Sequence, residues 1–136
     1  MANCPCESNK EFSKCCGLLI EKGNKAENPE QLMRSRYSAF TLKDMKYIFE
    51  TTHPQARGEF DRKSNQEWAD QAQFTKLEIL NSSIEANKGI VEFRAHFKMK
   101  DMDAAIHHEV AYFRKQEGIW YFRDAKIVPT KAKSPN

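Results

Sequence analysis

The chain has no cysteine beyond residue 16; all four stand at its head, as Cys4-Pro5-Cys6 and Cys15-Cys16. A disulfide framework needs an oxidising, secretory route. Met1-Ala2-Asn3-Cys4 lacks the charged and apolar regions of a signal peptide. The C-x-x-C redox signature is absent too, because the two pairs enclose one residue and none. No apolar run has the length needed to span a membrane. The nucleophile elbow, the phosphate loop, the dinucleotide fingerprint and a paired-carboxylate signature are all missing. No long basic arm occurs: 22 Lys and Arg are interspersed with 19 Asp and Glu, for a net charge of +3. That leaves no strong nucleic-acid signal, since phosphate-tracking proteins concentrate their basic charge. These absences point to a soluble, cytoplasmic protein.

What is present is a compact thiol cluster. Four cysteines in the span 4–16 read as one tetrahedral metal site, with Cys4, Cys6, Cys15 and Cys16 as ligands. Zinc is the expected occupant, one structural ion, because it favours four thiolates in closed sites. Two disulfides and redox chemistry are the competing readings, although a bond between adjacent Cys15 and Cys16 is sterically awkward. A closed four-thiolate site leaves no position for substrate or activated water, which argues against metal catalysis.

At 136 residues, 40% hydrophobic with fifteen aromatics, the remainder can build one domain with a real core. Gly17-Leu18-Leu19-Ile20 is expected to dock the cysteine segment on that domain. The polar stretch 21–29 reads as a loop. A helix then opens with Asn28 as N-cap and Pro29 at its first position, and carries Leu32, Met33, Arg36, Tyr37 and Phe40 at helical spacing. A second helix is predicted over about Leu42–Glu50, with Met45, Ile48 and Phe49 inward and His53-Pro54 as its stop. A third is predicted over Asn65–Gln73, with Trp68 and Ala72 toward the core.

From Phe74 the period changes to two. Ile90–Lys100 alternates apolar and polar residues, Asn87-Lys88-Gly89 reads as the turn before it, and Ala104–Lys115 leads through Gln116-Glu117-Gly118 into Ile119–Ile127. Helices first and hairpin-spaced strands second give an α+β domain, with the helices on one face of a curved antiparallel sheet. The tail, residues 129–136, lacks apolar anchors and is expected to fray.

Cys4-Pro5-Cys6-x-Ser8, Phe12 and Cys15-Cys16-Gly17 resemble the SEC-C motif, a small zinc-binding segment first named from the end of the SecA translocation ATPase. Asn9 stands where most such motifs carry glycine. The motif is followed by Leu32-Met33-Arg34-Ser35-Arg36-Tyr37-Ser38-Ala39-Phe40, His53-Pro54, Val91-Glu92-Phe93, His108-Glu109 and Trp120-Tyr121, and this run is similar to the YchJ-like family of bacterial proteins. The resemblance implies a zinc knuckle over residues 1–20 and a nuclear-transport-factor-like domain over residues 28–128. The latter is a cone of three helices packed on a curved antiparallel sheet.

Such a cone encloses a pocket, and Arg36, Tyr37, His53, Trp68, His108 and Glu109 are its candidate residues, with Arg94, His96 and Trp120 outside them. A His beside a Glu can serve as general acid and base near neutral pH, so a small-molecule enzyme of isomerase or hydrolase type is one expectation. Architectural roles compete: Arg36 and Tyr37 as anchors of their helix, His53 as a cap, the tryptophans as core. The leading expectation is a binding or adaptor protein. In it the knuckle, ringed by Lys10, Lys14, Lys22 and Lys25 and offset by Glu7, Glu11 and Glu21, contacts a protein or ribosome-type partner, and the cone pocket takes a small molecule.

Overall fold

The computed structural model describes residues 3–129; the expectation for the tail from residue 130 onward lies outside the described residues. A 3-10 turn at Phe12–Lys14 and helix α1 (Cys16–Ile20) carry the second cysteine pair. Helix α2 (Pro29–Thr41) follows the predicted grammar, with Asn28 Oδ1 accepting from the Gln31 amide at 2.8 Å. It is the central element. Leu32, Met33 and Tyr37 pack on the sheet, while Ser35, Ser38 and Ala39 are buried on its other sides.

Two helix starts move to stronger caps than the sequence reading used. Helix α3 (Met45–Glu50) begins after Asp44, whose Oδ1 accepts from the Tyr47 amide at 3.0 Å, so Leu42 closes α2 instead of opening α3. Met45 and Ile48 are buried as expected; Phe49 is 38% exposed, meets Phe60 at a tilt and lies beneath the Arg57 guanidinium. Helix α4 (Arg62–Gln71) starts after Asp61, which accepts from the Ser64 amide. Its buried residue is Ala69, and Ala72 already opens the first strand.

Strands β1 (Ala72–Glu85), β2 (Lys88–Met99), β3 (Ala104–Gln116) and β4 (Ile119–Ile127) form one antiparallel meander in the order β1-β2-β3-β4. Register shifts at Phe74/Lys76 and Ile79/Asn81 in β1, and at Tyr112/Phe113 in β3, bend and twist it. One face places Leu77, Val91, Phe93, Ala95, Ala111, Phe113 and Trp120 against α2. The other carries Glu78, Glu92, Arg94, His96 and His108. The β3–β4 reversal uses Glu117 (φ 54°) and Gly118 (φ 81°), the paired left-handed conformation that suits a tight hairpin.

Gly89 has a different job from the one its sequence neighbours suggested. The β1–β2 turn falls on Ala86-Asn87, and Gly89 is already inside β2. A Cβ there would overlap the Pro29 ring, so its missing side chain lets the start of α2 lie directly on the sheet.

Candidate functional site

The cysteine segment folds into a knuckle against α2. Cys4, Cys6 and Cys16 are buried and Cys15 is half-buried, and all four are free thiols. Their sulfurs lie within 4.8 Å of one another, with Cys6 and Cys15 at 3.6 Å. A tetrahedral ion with metal–sulfur bonds of about 2.3 Å has edges of about 3.8 Å, so the donor set fits one soft or borderline cation.

Protonation chemistry agrees with that fit. The Cys6 thiol is drawn down to about 4, chiefly by its hydrogen bond with Cys16 and against the effect of burial. The same bond, with burial, pushes Cys16 far up, and burial raises Cys15. A thiolate at Cys6 is thus supported by its neighbours, whereas ionisation of Cys15 and Cys16 is opposed by burial, an opposition that a central cation would offset. When bound, such an ion cross-links the two cysteine pairs, and all four of its positions are taken by protein sulfur.

Surrounding groups fix the knuckle. Ser8 Oγ is 3.1 Å from Cys15 Sγ, Ser38 Oγ is 3.5 Å from Cys4 Sγ, and Arg34 Nη1 donates to the Cys6 carbonyl at 2.6 Å. Ser8, Arg34 and Ser38 are contacts the sequence reading did not assign; their signal was only proximity to the cysteines and position on the outer side of α2. Asn9 sits at φ 69°, where glycine is easiest and asparagine is among the better-tolerated alternatives. Gly17 is needed sterically, because a Cβ there would lie 2.7 Å from the Phe12 carbonyl oxygen.

A second site lies on the opposite side of α2. A cavity of about 500 Å³ opens between α2, α4, the 3-10 turn Pro54–Glu59 and the inner face of the sheet. Aromatic side chains, including Phe74, Phe93, Phe97 and Phe122, share its walls with polar and charged ones. Trp68 meets Phe74 and Phe97 edge-on with ring centroids 5.2 and 5.6 Å apart, and lies 5.7 Å from the imidazole of His107.

The cavity brings together Arg36, Tyr37, Trp68 and Glu109 of the candidate set. Burial pushes Tyr37 up to about 12, so it is a neutral phenol at physiological pH. Arg36 is buried: its Nη1 donates to the Ile48 carbonyl at 3.0 Å and to Thr51 Oγ1 at 2.7 Å, with Thr52 Oγ1 at 3.4 Å. The guanidinium stacks 4.5 Å from the Phe122 centroid. Desolvation draws it down to about 10, partly offset by the charge of Glu109.

His53 and His108 are not in the cavity. His53 caps the 3-10 turn, its Nδ1 accepting from the Gln55 amide at 3.1 Å, with its ring edge-on to Tyr121. His108 points to the outer face of the sheet and pairs with Glu92 at 2.7 Å. His108 and Glu109 are therefore not brought together, because adjacent strand residues face opposite ways. The inner pair is His107 Nε2 with Glu109 Oε1 at 2.7 Å. Strand parity carried a signal for it: His107 and Glu109 share a face with Ala111 and Phe113, which are in the core. Of the outer candidates, His96 binds Glu78 on the outer face at 2.8 Å, Arg94 lies on that face opposite His108, and Trp120 is core.

Among the described residues, no helix is long and apolar enough to cross a membrane. Residues 28–125 match the family model described as "YchJ, middle NTF2-like domain", and residues 2–18 match the SEC-C motif. The chain is 42% identical over 124 residues to a UPF0225 protein of Geobacter sulfurreducens, covering 89% of this chain and 76% of that one. It is similar in structure to a SEC-C motif containing protein of Rhodopseudomonas palustris, with a TM-score of 0.87, 43% identity and coverage of 94% and 100% of the two chains. A sec-c motif containing protein of Psychrobacter arcticus gives a TM-score of 0.76 at 30% identity, covering 93% of this chain and 83% of that one. With the thiol cluster and the helix-covered meander in the same chain order as these matches, the protein belongs to the YchJ-like family, an α+β NTF2-like domain preceded by a SEC-C motif.

Proposed function

We propose that this is a cytoplasmic binding protein, in which a zinc-held knuckle presents a contact surface and the cone cavity receives a small molecule. The observation that carries it is the cavity itself. Some 500 Å³ of space lined by aromatic side chains and by polar groups that include the buried Arg36 has the form of a ligand site. Zinc suits the four-sulfur donor set better than oxygen-seeking cations do, and free thiols call for a reducing compartment. Lys10, Lys14, Lys22 and Lys25 are all exposed, which suits contact with an acidic protein or ribonucleoprotein surface.

The cavity is tested by ligand-observed NMR on the zinc-loaded protein with a library of small aromatic and aliphatic fragments. Binding is expected to shift signals of Trp68, Phe97 and His107, and hits confined to the outer face of the sheet would sink it. A second function, proton transfer by the His107–Glu109 pair, is favoured by their 2.7 Å contact inside the cavity. It requires a turnover that His107→Asn abolishes and His108→Asn leaves intact.

A further inference from the structure

The chemistry of Arg36 narrows the class of ligand. A guanidinium has five N–H donors. The two on Nη1 are taken by Ile48 and Thr51, and among the described residues Nε and Nη2 have no hydrogen-bond partner. No fully buried side-chain nitrogen or oxygen is left unpaired among those residues, so Nε and Nη2 keep some accessible surface, on a residue that lines the cavity. The open edge is therefore the Nε–Nη2 side, whose parallel N–H groups match the two oxygens of a carboxylate.

Charge balance points the same way. Arg36 is only 7% exposed, yet no carboxylate of the described residues lies within 4.0 Å of it. Buried charges are ordinarily paired, because an uncompensated one carries a large desolvation penalty. The other charged groups facing the cavity are Glu109, His107, Glu59, Arg123 and Asp124. Glu109 is bonded to His107, and Asp124 Oδ1 accepts from the Ala125 amide. Glu59 is exposed and Arg123 half-buried at the rim. Arg36 is thus an interior charge with no carboxylate in direct contact, helped only at a distance by Glu109, and it stands among aromatic walls.

We infer that the cavity binds a small aromatic carboxylate, whose two oxygens take the Nε–Nη2 edge of Arg36 and whose ring packs among Trp68, Phe74, Phe93 and Phe97. This rests on the cavity being a ligand site and adds the anionic, planar character of the ligand.

The test uses the zinc-loaded full chain with phenylacetate and indole-3-acetate, each beside its isosteric carboxamide. Affinity is read by titration calorimetry, and the side-chain Nε–H of Arg36 is followed by 15N NMR. The acids are expected to bind at least about tenfold more tightly than the amides and to shift the Arg36 Nε–H signal. Arg36→Met should remove that preference while its spectrum stays folded. Should that variant fail to fold, the wild-type comparison of acid with amide and the Arg36 signal still decide. Equal binding of acid and amide, or an unmoved Arg36 resonance, would overturn the anion assignment and leave the cavity as a ligand site. No binding of either at up to about 10 mM would overturn both.

Discussion

Replacing Arg36 with methionine should leave the protein as stable as before, or more so, although the side chain is buried and makes several hydrogen bonds. The fold draws the guanidinium from 12.5 to about 10, mainly by desolvation. At about 1.4 kcal/mol per pH unit, the native environment disfavours the charged form by about 3 kcal/mol. For a base, this depression means that the unfolded chain holds the proton more tightly. The penalty is fully present below pH 10 and is relieved only as pH rises through about 10 to 12.5.

Removing Arg36 orphans none of its acceptors. The Ile48 carbonyl keeps its bond from Thr52 Oγ1 at 2.8 Å, and Thr51 Oγ1 still donates to the Tyr47 carbonyl at 2.8 Å. Lost contact with Phe122 is worth about 1–2 kcal/mol, and the methionine thioether recovers part of it. The expected net effect is between zero and about 2 kcal/mol of added stability, a rise of at most a few degrees in Tm. Urea denaturation followed by tryptophan fluorescence measures it. A loss of more than about 2 kcal/mol would refute the reasoning and make Arg36 a structural tie between α2 and α3.

Three further outcomes are expected. Stripping the metal with a chelator should abolish hydrogen-exchange protection across residues 3–20 and leave β2 and β3 protected, because structural zinc contributes about 10–16 kcal/mol to small thiolate units while the sheet has its own core; simultaneous loss from β2 and β3 would show one cooperative unit. Gly89→Ala should lower stability by about 1–3 kcal/mol through the overlap with Pro29, and an unchanged urea midpoint would mean that the start of α2 can yield. Glu7 sits at φ 69°, so Glu7→Gly should relieve about 1 kcal/mol of strain and slow metal transfer to a competing chelator. A faster transfer would show that Glu7 helps the site electrostatically.

How far the fold could be read from sequence depended on the kind of signal. Asn28-Pro29 fixed the start of α2 because a cap and a pre-set φ act locally. The strict alternation of Val91, Phe93 and Ala95 fixed the face of β2 for a similar reason. Strand β3 resisted, since Ile106 and Val110 compete with Ala111 and Phe113 for the core. With a period of two, an error of one residue exchanges His107 for His108. Gly89 was misread because a turn glycine and a close-approach glycine look alike until the partner, Pro29, is known. The metal ligands were legible because their clustering lies in the sequence itself. The free edge of Arg36 was not, since it depends on which donors Ile48 and Thr51 occupy after folding.

The two edges of the sheet bear on whether one copy of the chain can add to another. An open meander has two unpaired rims, each a template for adding another chain's strand. The β4 rim is closed locally by the segment after α3, where the Phe122 amide donates to the Thr51 carbonyl and the His53 amide to the Phe122 carbonyl. The β1 rim is long, but its register breaks at two points, around Thr75 and Leu80, and Lys76 is exposed beside the first. No straight, continuous ladder is offered on either side. Edge-to-edge polymerisation through these rims is therefore disfavoured.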